Sequence, residues 1–420
     1  MRIALLSYRS KPHVGGQGVY VEHLSRSLVE AGHDVEVFSG QPYPADLDPR
    51  VRLTKVPSLG IYDEPNPFRP PAPWKLRGVP DVVEYLLALT GAFGEPLSFT
   101  LRVDRLLRDR LDEFDVVHDN QSLGYGLLAL MRRLPLVGTI HHPISRDRKV
   151  ELQAARGWRK LSVARWYSFV PMQARVARRL PFVVGVSIVA TDDTVTDFGI
   201  DPSRIRVVPL GVDTEIFRPP APQTGATRVP GRIVAVASAD KPLKGVAHLL
   251  DALAKLRVER DVELQLVSAV EPGGPTDRRI ESLGLRDAVT IHRGLESEQI
   301  AALLASAEVM CVPSLYEGFS LPTVEALACG TPVVASRAGA IPEVVGALDA
   351  DEPCAVLVEP GDPEELAAAL ADLLDDPDRR TALGTAGRAR ALARFSWPSV
   401  AHATAAVYTE AVSRFASQKD

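Results

Sequence analysis

Glu317 and Glu325 stand in the spacing E-x7-E within SLYEGFSLPTVEALACGTPVVAS, residues 314–336. The turn Gly318-Phe319-Ser320 and the start of a helix lie between them. Carboxylates accept hydrogen bonds from sugar hydroxyls. A helix N-terminus offers free backbone N–H groups and the positive end of a dipole, which together seat a phosphate. A phosphate flanked by hydroxyl-bearing rings describes a nucleotide sugar. The candidate donor contacts are therefore Glu317, Gly318, Phe319, Ser320, Leu321 and Glu325.

These residues need a strand-turn-helix to position them, and the local sequence supplies one. Residues 309–313 (VMCVP) are apolar and rich in β-formers, so they read as a buried strand. Ser320 is a plausible N-cap and Pro322 suits a first turn. Cys329-Gly330 stops the helix, and 332–335 starts another buried strand. The chain opens in the same way. Residues 3–8 read as a strand, then come the glycine-rich loop 11–18, a helix over 19–31 and a strand over 35–38. The loop lacks G-x-G-x-x-G, which disfavours NAD. Gly15 and Gly16 are either a tight turn alone or a point of close backbone approach to a donor phosphate.

Two further strands, over 115–118 and 135–142, end in polar residues: His118, Asp119, Asn120 and Gln121 on one, Thr139, His141 and His142 on the other. In a parallel α/β sheet such ends carry ligands. A strand-end His is otherwise a structural hydrogen-bonder. The alternation continues through 232–238, 262–267 and 289–291, with helices between. It predicts an α/β chain of two doubly wound, Rossmann-like domains facing across a cleft. The expected boundaries are 1–218 and 231–396, joined by a Pro/Gly/Thr-rich linker at 219–230, with a last amphipathic helix over about 397–416 packing back on the first domain. The proline-rich stretch 58–80, with Tyr62, Phe68 and Trp74, has little regular pattern and reads as a surface loop or connection.

The run from Glu317 to Ser336, with the punctuation A-x-A-x-G-x-P-V-V-A-S, resembles glycosyltransferase family 4, the retaining enzymes of GT-B fold that include phosphatidylinositol mannosyltransferase-like and glycogen-synthase-like members. Lys244-Gly245, the segment 209–219 (PLGVDTEIFRP) and 338–345 (AGAIPEVV) add to the resemblance. It implies transfer of a sugar from a nucleotide diphosphate sugar (UDP- or GDP-linked) to an acceptor hydroxyl, with retention and with the leaving phosphate taking the acceptor proton. It implies that Gly15 and Gly16 approach the donor phosphate and that Lys244 clamps the diphosphate. It implies no essential metal or other cofactor. Relatives carry H-x-H where this chain has His118-Asp119-Asn120. The resemblance makes His118 and Asn120 the candidates at the reacting carbon, but Asn120 cannot act as an acid or base, so His141 or His142, on the acceptor side, is a candidate to contribute instead. The usual clamp Arg is replaced by Ser238, and Lys241 is the cation available in its place, without a guanidinium's planar fork. Rival readings are a GT-B nucleotide-sugar epimerase, which needs no acceptor, and a non-catalytic nucleotide-sugar binder.

Length and composition agree with this. At 420 residues two domains are the default. The net charge of −5 argues against a nucleic-acid partner. Cys311, Cys329 and Cys354 sit in apolar settings without metal or redox spacing, as expected of buried thiols in a reducing cytoplasm. No apolar stretch is long enough for a transmembrane helix. Residues 145–180 hold ten Lys plus Arg against Asp147 and Glu151, with Trp158, Trp166, Tyr167 and Phe169 interleaved. They read either as helices with solvated basic faces or as a surface for anionic membrane and a lipid-linked acceptor, which would place the chain peripherally on a membrane's inner face.

Overall fold

The computed structural model describes residues 1–10, 17–62, 69, 71–220, 228–348 and 354–418. The chain forms two compact units, Met1–Val208 with Val400–Asp420, and Pro209–Ser399. In each, short apolar runs with both faces covered make a parallel sheet.

The first sheet comprises β1 (Arg2–Ser7), β2 (Asp34–Ser39), β3 (Arg52–Lys55), β4 (Val116–Asn120), β5 (Leu136–Ile140), β6 (Phe182–Gly185) and β7 (Ile205–Val207). Their spatial order is β3-β2-β1-β4-β5-β6-β7, and every pair is parallel. The order reverses between β1 and β4, so the carboxyl ends of those strands border the crevice where such sheets bind ligands. The second sheet comprises β8 (Val229–Val236), β9 (Glu263–Val267), β10 (Val289–His292), β11 (Ala307–Val312), β12 (Val333–Ser336) and β13 (Val356–Val358). It is also parallel, in the order β10-β9-β8-β11-β12-β13, and reverses between β8 and β11. Both units are therefore doubly wound and Rossmann-like. The edge strands β3 and β13 escaped the sequence pattern because each is short and only partly covered.

Two differences from the sequence reading have physical causes. Residues 145–180 fold into three helices, Ser145–Ala154, Trp158–Trp166 and Val170–Ala177. Trp166, Tyr167 and Phe169 belong to or pack on the core, and of the four aromatics only Trp158 is fully exposed, at 83%. The basic side chains are partly neutralised, Lys149 by Asp197 (2.7 Å) and Arg146 by Asp193. Residues 209–218, expected in the first domain, belong to the second unit. The Val212 amide donates to the Phe395 carbonyl (2.7 Å), and Arg388 Nη1 donates to the Phe217 carbonyl (2.9 Å). Gly211 lies so close to Trp397 that an added Cβ would stand 2.4 Å from the indole.

The helix Trp397–Ala416 leaves the second unit and from Val400 onward is part of the first. Tyr408 is its anchor. It is fully buried, with Oη 2.6 Å from His118 Nδ1 on β4. Thr139 Oγ1 on β5 lies 2.7 Å from His118 Nε2. Removing the Tyr408 hydroxyl leaves a buried ring nitrogen without a partner. Tyr408→Phe is expected to cost about 1–3 kcal/mol of stability, read by urea unfolding.

Candidate functional site

In the second unit the site is built where β8 and β11 diverge. After β8 the chain makes the turn Pro242–Lys244 and enters the helix Val246–Leu256 through Gly245. Gly245 has φ +64°, and a Cβ there would stand 1.9 Å from the Pro313 carbonyl oxygen at the end of β11. The Leu315 amide donates to the Leu243 carbonyl (2.8 Å), closing the same seam. This contact brings Lys244 to Glu317. Lys244 Nζ donates to Glu317 Oε1 at 2.8 Å, and Ser314 Oγ donates to the same oxygen at 2.7 Å. The Ala340 amide takes the Glu317 carbonyl (2.9 Å). An ammonium and a carboxylate are thus held side by side, each with hydrogen-bonding capacity left over.

The helix Leu321–Ala328 begins where expected. Ser320 stands at the N-cap position, but its side chain does not cap. It has φ 78° and ψ 68°, left-handed for a residue with a Cβ, and its hydroxyl pairs with Thr323 Oγ1 (2.7 Å). Such backbone costs of order 1–3 kcal/mol and persists where the surroundings impose it. The Ser320 and Leu321 amides have no hydrogen-bond partner among the described residues and open the helix as free donors. Phe319 is buried edge-on against Phe395, with centroids 5.9 Å apart. Gly318 lies in the turn between Glu317 and Phe319. Glu325 is partly buried and its carboxylate has no protein partner among the described residues. Burial pushes its pKa from 4.5 up to about 7.

A cavity of about 620 Å³ opens along the carboxyl ends of β8, β9 and β10. Its lining includes Ser238, Lys241, Lys244, His292 and Pro322. Lys241 is exposed at its mouth with no ionic partner among the described residues. Asp240 accepts from the Glu271 and Thr276 amides (3.0 and 3.1 Å), bracing the wall.

In the first unit the candidates gather at the ends of β4 and β5. His118 is enclosed, both ring nitrogens occupied, and burial pushes its pKa down to about 3, so the ring is neutral. Asn120 turns Nδ2 to the Gln17 carbonyl (3.4 Å), so Oδ1 accepts from His141 Nε2 at 2.6 Å. That fixes the proton on Nε2 and leaves the His141 Nδ1 lone pair open, with burial lowering the pKa to about 4. His142 is exposed and turns instead to Asp147 (2.9 Å). Gln121, Asp119, Thr139 and Tyr408 were not singled out as site residues, yet they set this geometry. Gln121 Nε2 donates to the His142 carbonyl (2.6 Å), and its Oε1 accepts the His141 amide (2.7 Å). Asp119 holds the Leu123 amide (2.9 Å) and the Ser122 hydroxyl, fixing a turn in which Gln121 and Leu123 both have positive φ. Polar residues at a strand end were a signal for Asp119 and Gln121. Nothing local marks Tyr408. Gly15 and Gly16 lie outside the described residues.

Comparison with known proteins gives a consistent result. Residues 14–216 match the model described as Glycosyltransferase Family 4, and residues 221–390 the model described as Glycosyl transferases group 1. The MMP alpha-(1→4)-mannosyltransferase of Mycolicibacterium hassiacum is 60% identical over 99% of this chain and 100% of its own length. A D-inositol 3-phosphate glycosyltransferase of Xylanimonas cellulosilytica is 32% identical over 98% of this chain and 97% of its own. Among solved structures, Anabaena HepE in complex with UDP superposes with a TM-score of 0.65 at 19% identity, covering 98% of this chain and 100% of that one.

Because Glu325 ionises only at a desolvation cost, its raised pKa makes a stability contribution that is present below about pH 4.5 and lost as pH rises through about 7. Glu325→Gln is expected to be more stable than wild type at pH 8.5, by on the order of 1–3 kcal/mol, and so to melt at a higher temperature, with the difference vanishing toward pH 4. Thermal unfolding at the two pH values checks this.

Proposed function

The chain belongs to glycosyltransferase family 4, and from that premise we propose that it moves a mannosyl group, with retention, from a nucleotide diphosphate mannose to a hydroxyl of a glycan acceptor. The observation that carries the donor chemistry is the Lys244–Glu317 pair at 2.8 Å beside the free amides that open the helix Leu321–Ala328. The sugar follows the name of the mannosyltransferase relative at 60% identity, and a glycan acceptor is our reading of the α-(1→4) linkage in that name.

In this reading the diphosphate lies against Lys244, Lys241 and the Ser320 and Leu321 amides, and a part for Gly15 and Gly16 rests on the family resemblance alone. Negative charge grows on the leaving diphosphate as the anomeric C–O bond breaks, and fixed donors stabilise it most at that stage. Glu325, with no protein partner, accepts from the ribose hydroxyls. Glu317 accepts from the transferred sugar through the oxygen that Lys244 and Ser314 leave open. Gly318 gives the turn room, and Phe319 holds it by packing on Phe395. The acceptor oxygen attacks on the face the diphosphate leaves, and a phosphate oxygen takes its proton, so no protein base is consumed. His118 is a positioning residue in this scheme, because Tyr408 and Thr139 engage both of its ring nitrogens and leave none for the substrate. Asn120 and His141 form the polar contact on the acceptor side, and His142 is peripheral. A glycan fits the first unit better than a membrane surface, since the aromatics of residues 145–180 are mostly in the core and its cations partly paired. Among the described residues no helix is long and apolar enough to cross a membrane.

The test is direct. Purified protein is offered GDP-mannose and UDP-mannose, with and without α-(1→4)-linked mannooligosaccharides, and products are resolved by chromatography and NMR. Growth of the acceptor by one α-linked mannose is expected. Release of an altered sugar without acceptor, or nucleotide binding with no product, would overturn the proposal. Lys244→Ala should lower kcat by roughly 10²–10³-fold, the scale of losing one donor to a developing oxyanion.

A further inference from the structure

We infer that a cavity beside Trp166 in the first unit is a carbohydrate subsite, which holds the chain of a neutral oligosaccharide acceptor behind its reacting end. The cavity measures about 600 Å³, within the ~300–1,000 Å³ of sites that enclose small ligands. Ile61, Tyr62, Val163 and Trp166 line it with apolar and aromatic surface, and Glu151, Arg159 and Ser162 add polar groups. Glu151 Oε1 accepts from Tyr167 Oη (2.7 Å), which leaves its second oxygen without a protein donor among the described residues. The Arg159 and Ser162 side chains have no partner among the described residues.

One carboxylate and one guanidinium offset each other, so the site favours a neutral ligand over a phosphate. An acyl chain would cover those polar groups without satisfying them, which is costly. A sugar presents C–H faces to aromatic rings and hydroxyls to a carboxylate, a guanidinium and a serine. The location fits as well. Arg9, just beyond β1, lies over the rings of Tyr62 and Phe93 at 5.8 and 5.4 Å, and the Phe93 amide donates to the Trp166 carbonyl (3.4 Å). The cavity therefore adjoins residues at the carboxyl edge of the sheet that also carries Asn120 and His141. The neighbouring helix Val79–Leu89 turns Glu84 inward to Arg102 (2.7 Å) and presents Val79, Val82, Leu86 and Leu89 outward, so an apolar face continues from the cavity.

The inference rests on the reading of the chain as a glycan-extending enzyme, but its test does not use the reaction. Calorimetry without donor compares an α-(1→4)-linked mannotetraose with mannose, on wild type and on Ser162→Phe and Arg159→Ala. Both side chains are exposed, and Ser162→Phe is expected to keep the wild-type melting temperature. Wild type should bind the tetraose at least tenfold more tightly than mannose, and Ser162→Phe should abolish that difference. Arg159→Ala should weaken the tetraose severalfold. Equal tetraose binding by wild type and Ser162→Phe would overturn the assignment, as would no tetraose binding by wild type. Wild-type binding to vesicles of anionic phospholipid that Ser162→Phe removes, with no oligosaccharide binding, would assign the face to a membrane instead. A failed transfer assay with tetraose binding intact would count against the proposed reaction and not against the subsite.

Discussion

The second unit depends on how closely its loops approach where β8 and β11 part. Two contacts there admit no side chain. A Cβ on Gly245 would meet the Pro313 carbonyl at 1.9 Å, and one on Gly339 would meet the Glu317 carbonyl at 2.1 Å. Both glycines also have positive φ. These approaches close three loops on one another: the turn after β8, the turn after β11 and the turn after β12. Glu317 sits in the middle loop, its backbone carbonyl held by Ala340 and its side chain by Ser314 and Lys244. The ion pair follows from this backbone packing and is not what creates it. In a half-buried pair of this kind the cost of desolvating both charges offsets most of their attraction, so it is weak as a source of stability. Its value is orientational, since it fixes a flexible ammonium at one place on the rim of the cavity.

Burial gives the two units opposite electrostatic characters. At the ends of β4 and β5, desolvation keeps His118 and His141 neutral, and hydrogen bonds to Tyr408, Thr139 and Asn120 define which nitrogen is engaged. That cluster is rigid and uncharged. In the second unit, partial burial raises the pKa of Glu325 without giving it a partner, while Lys241 and Lys244 line the cavity beside it. A lone desolvated carboxylate is unfavourable in the free protein. Hydroxyl donors from a ligand would remove much of that penalty, so the cost in the empty site becomes affinity in the filled one.

Much of this was legible in the sequence. Helix and strand alternation identified both parallel sheets, because apolar runs of four to six residues bounded by Gly, Pro or Asn have few other readings. The Glu317–Glu325 run was legible because its turn and helix are local. The interleaved aromatics of residues 145–180 were not, since charge and aromatic content give no direction for a side chain, and three of the four turned inward. The neutral state of His118 was also hidden. It follows from complete burial, with Tyr408 reaching His118 from the last helix, and no local pattern links positions so far apart. Ser320 was placed correctly and its conformation was not, because a left-handed serine is imposed by the loops around it and carries no sequence signature.

The departure at Ser238 can now be placed in this geometry. Ser238 lines the same cavity as Lys241 and Lys244, on the loop that leaves β8. A guanidinium there would offer a planar fork with five donors, whereas an ammonium offers a compact charge with three. With Lys244 already giving one donor to Glu317, the two lysines cannot reproduce both the charge and the directionality of an Arg-Lys pair. The missing direction has to come from groups that do not move. In the proposed reading the free amides of Ser320 and Leu321 meet that need, and the left-handed backbone at Ser320 sets their direction. On the proposed reading, then, the lysines supply charge and the backbone supplies geometry. The left-handed serine is consistent with that division, since its backbone holds the turn into the helix in one geometry.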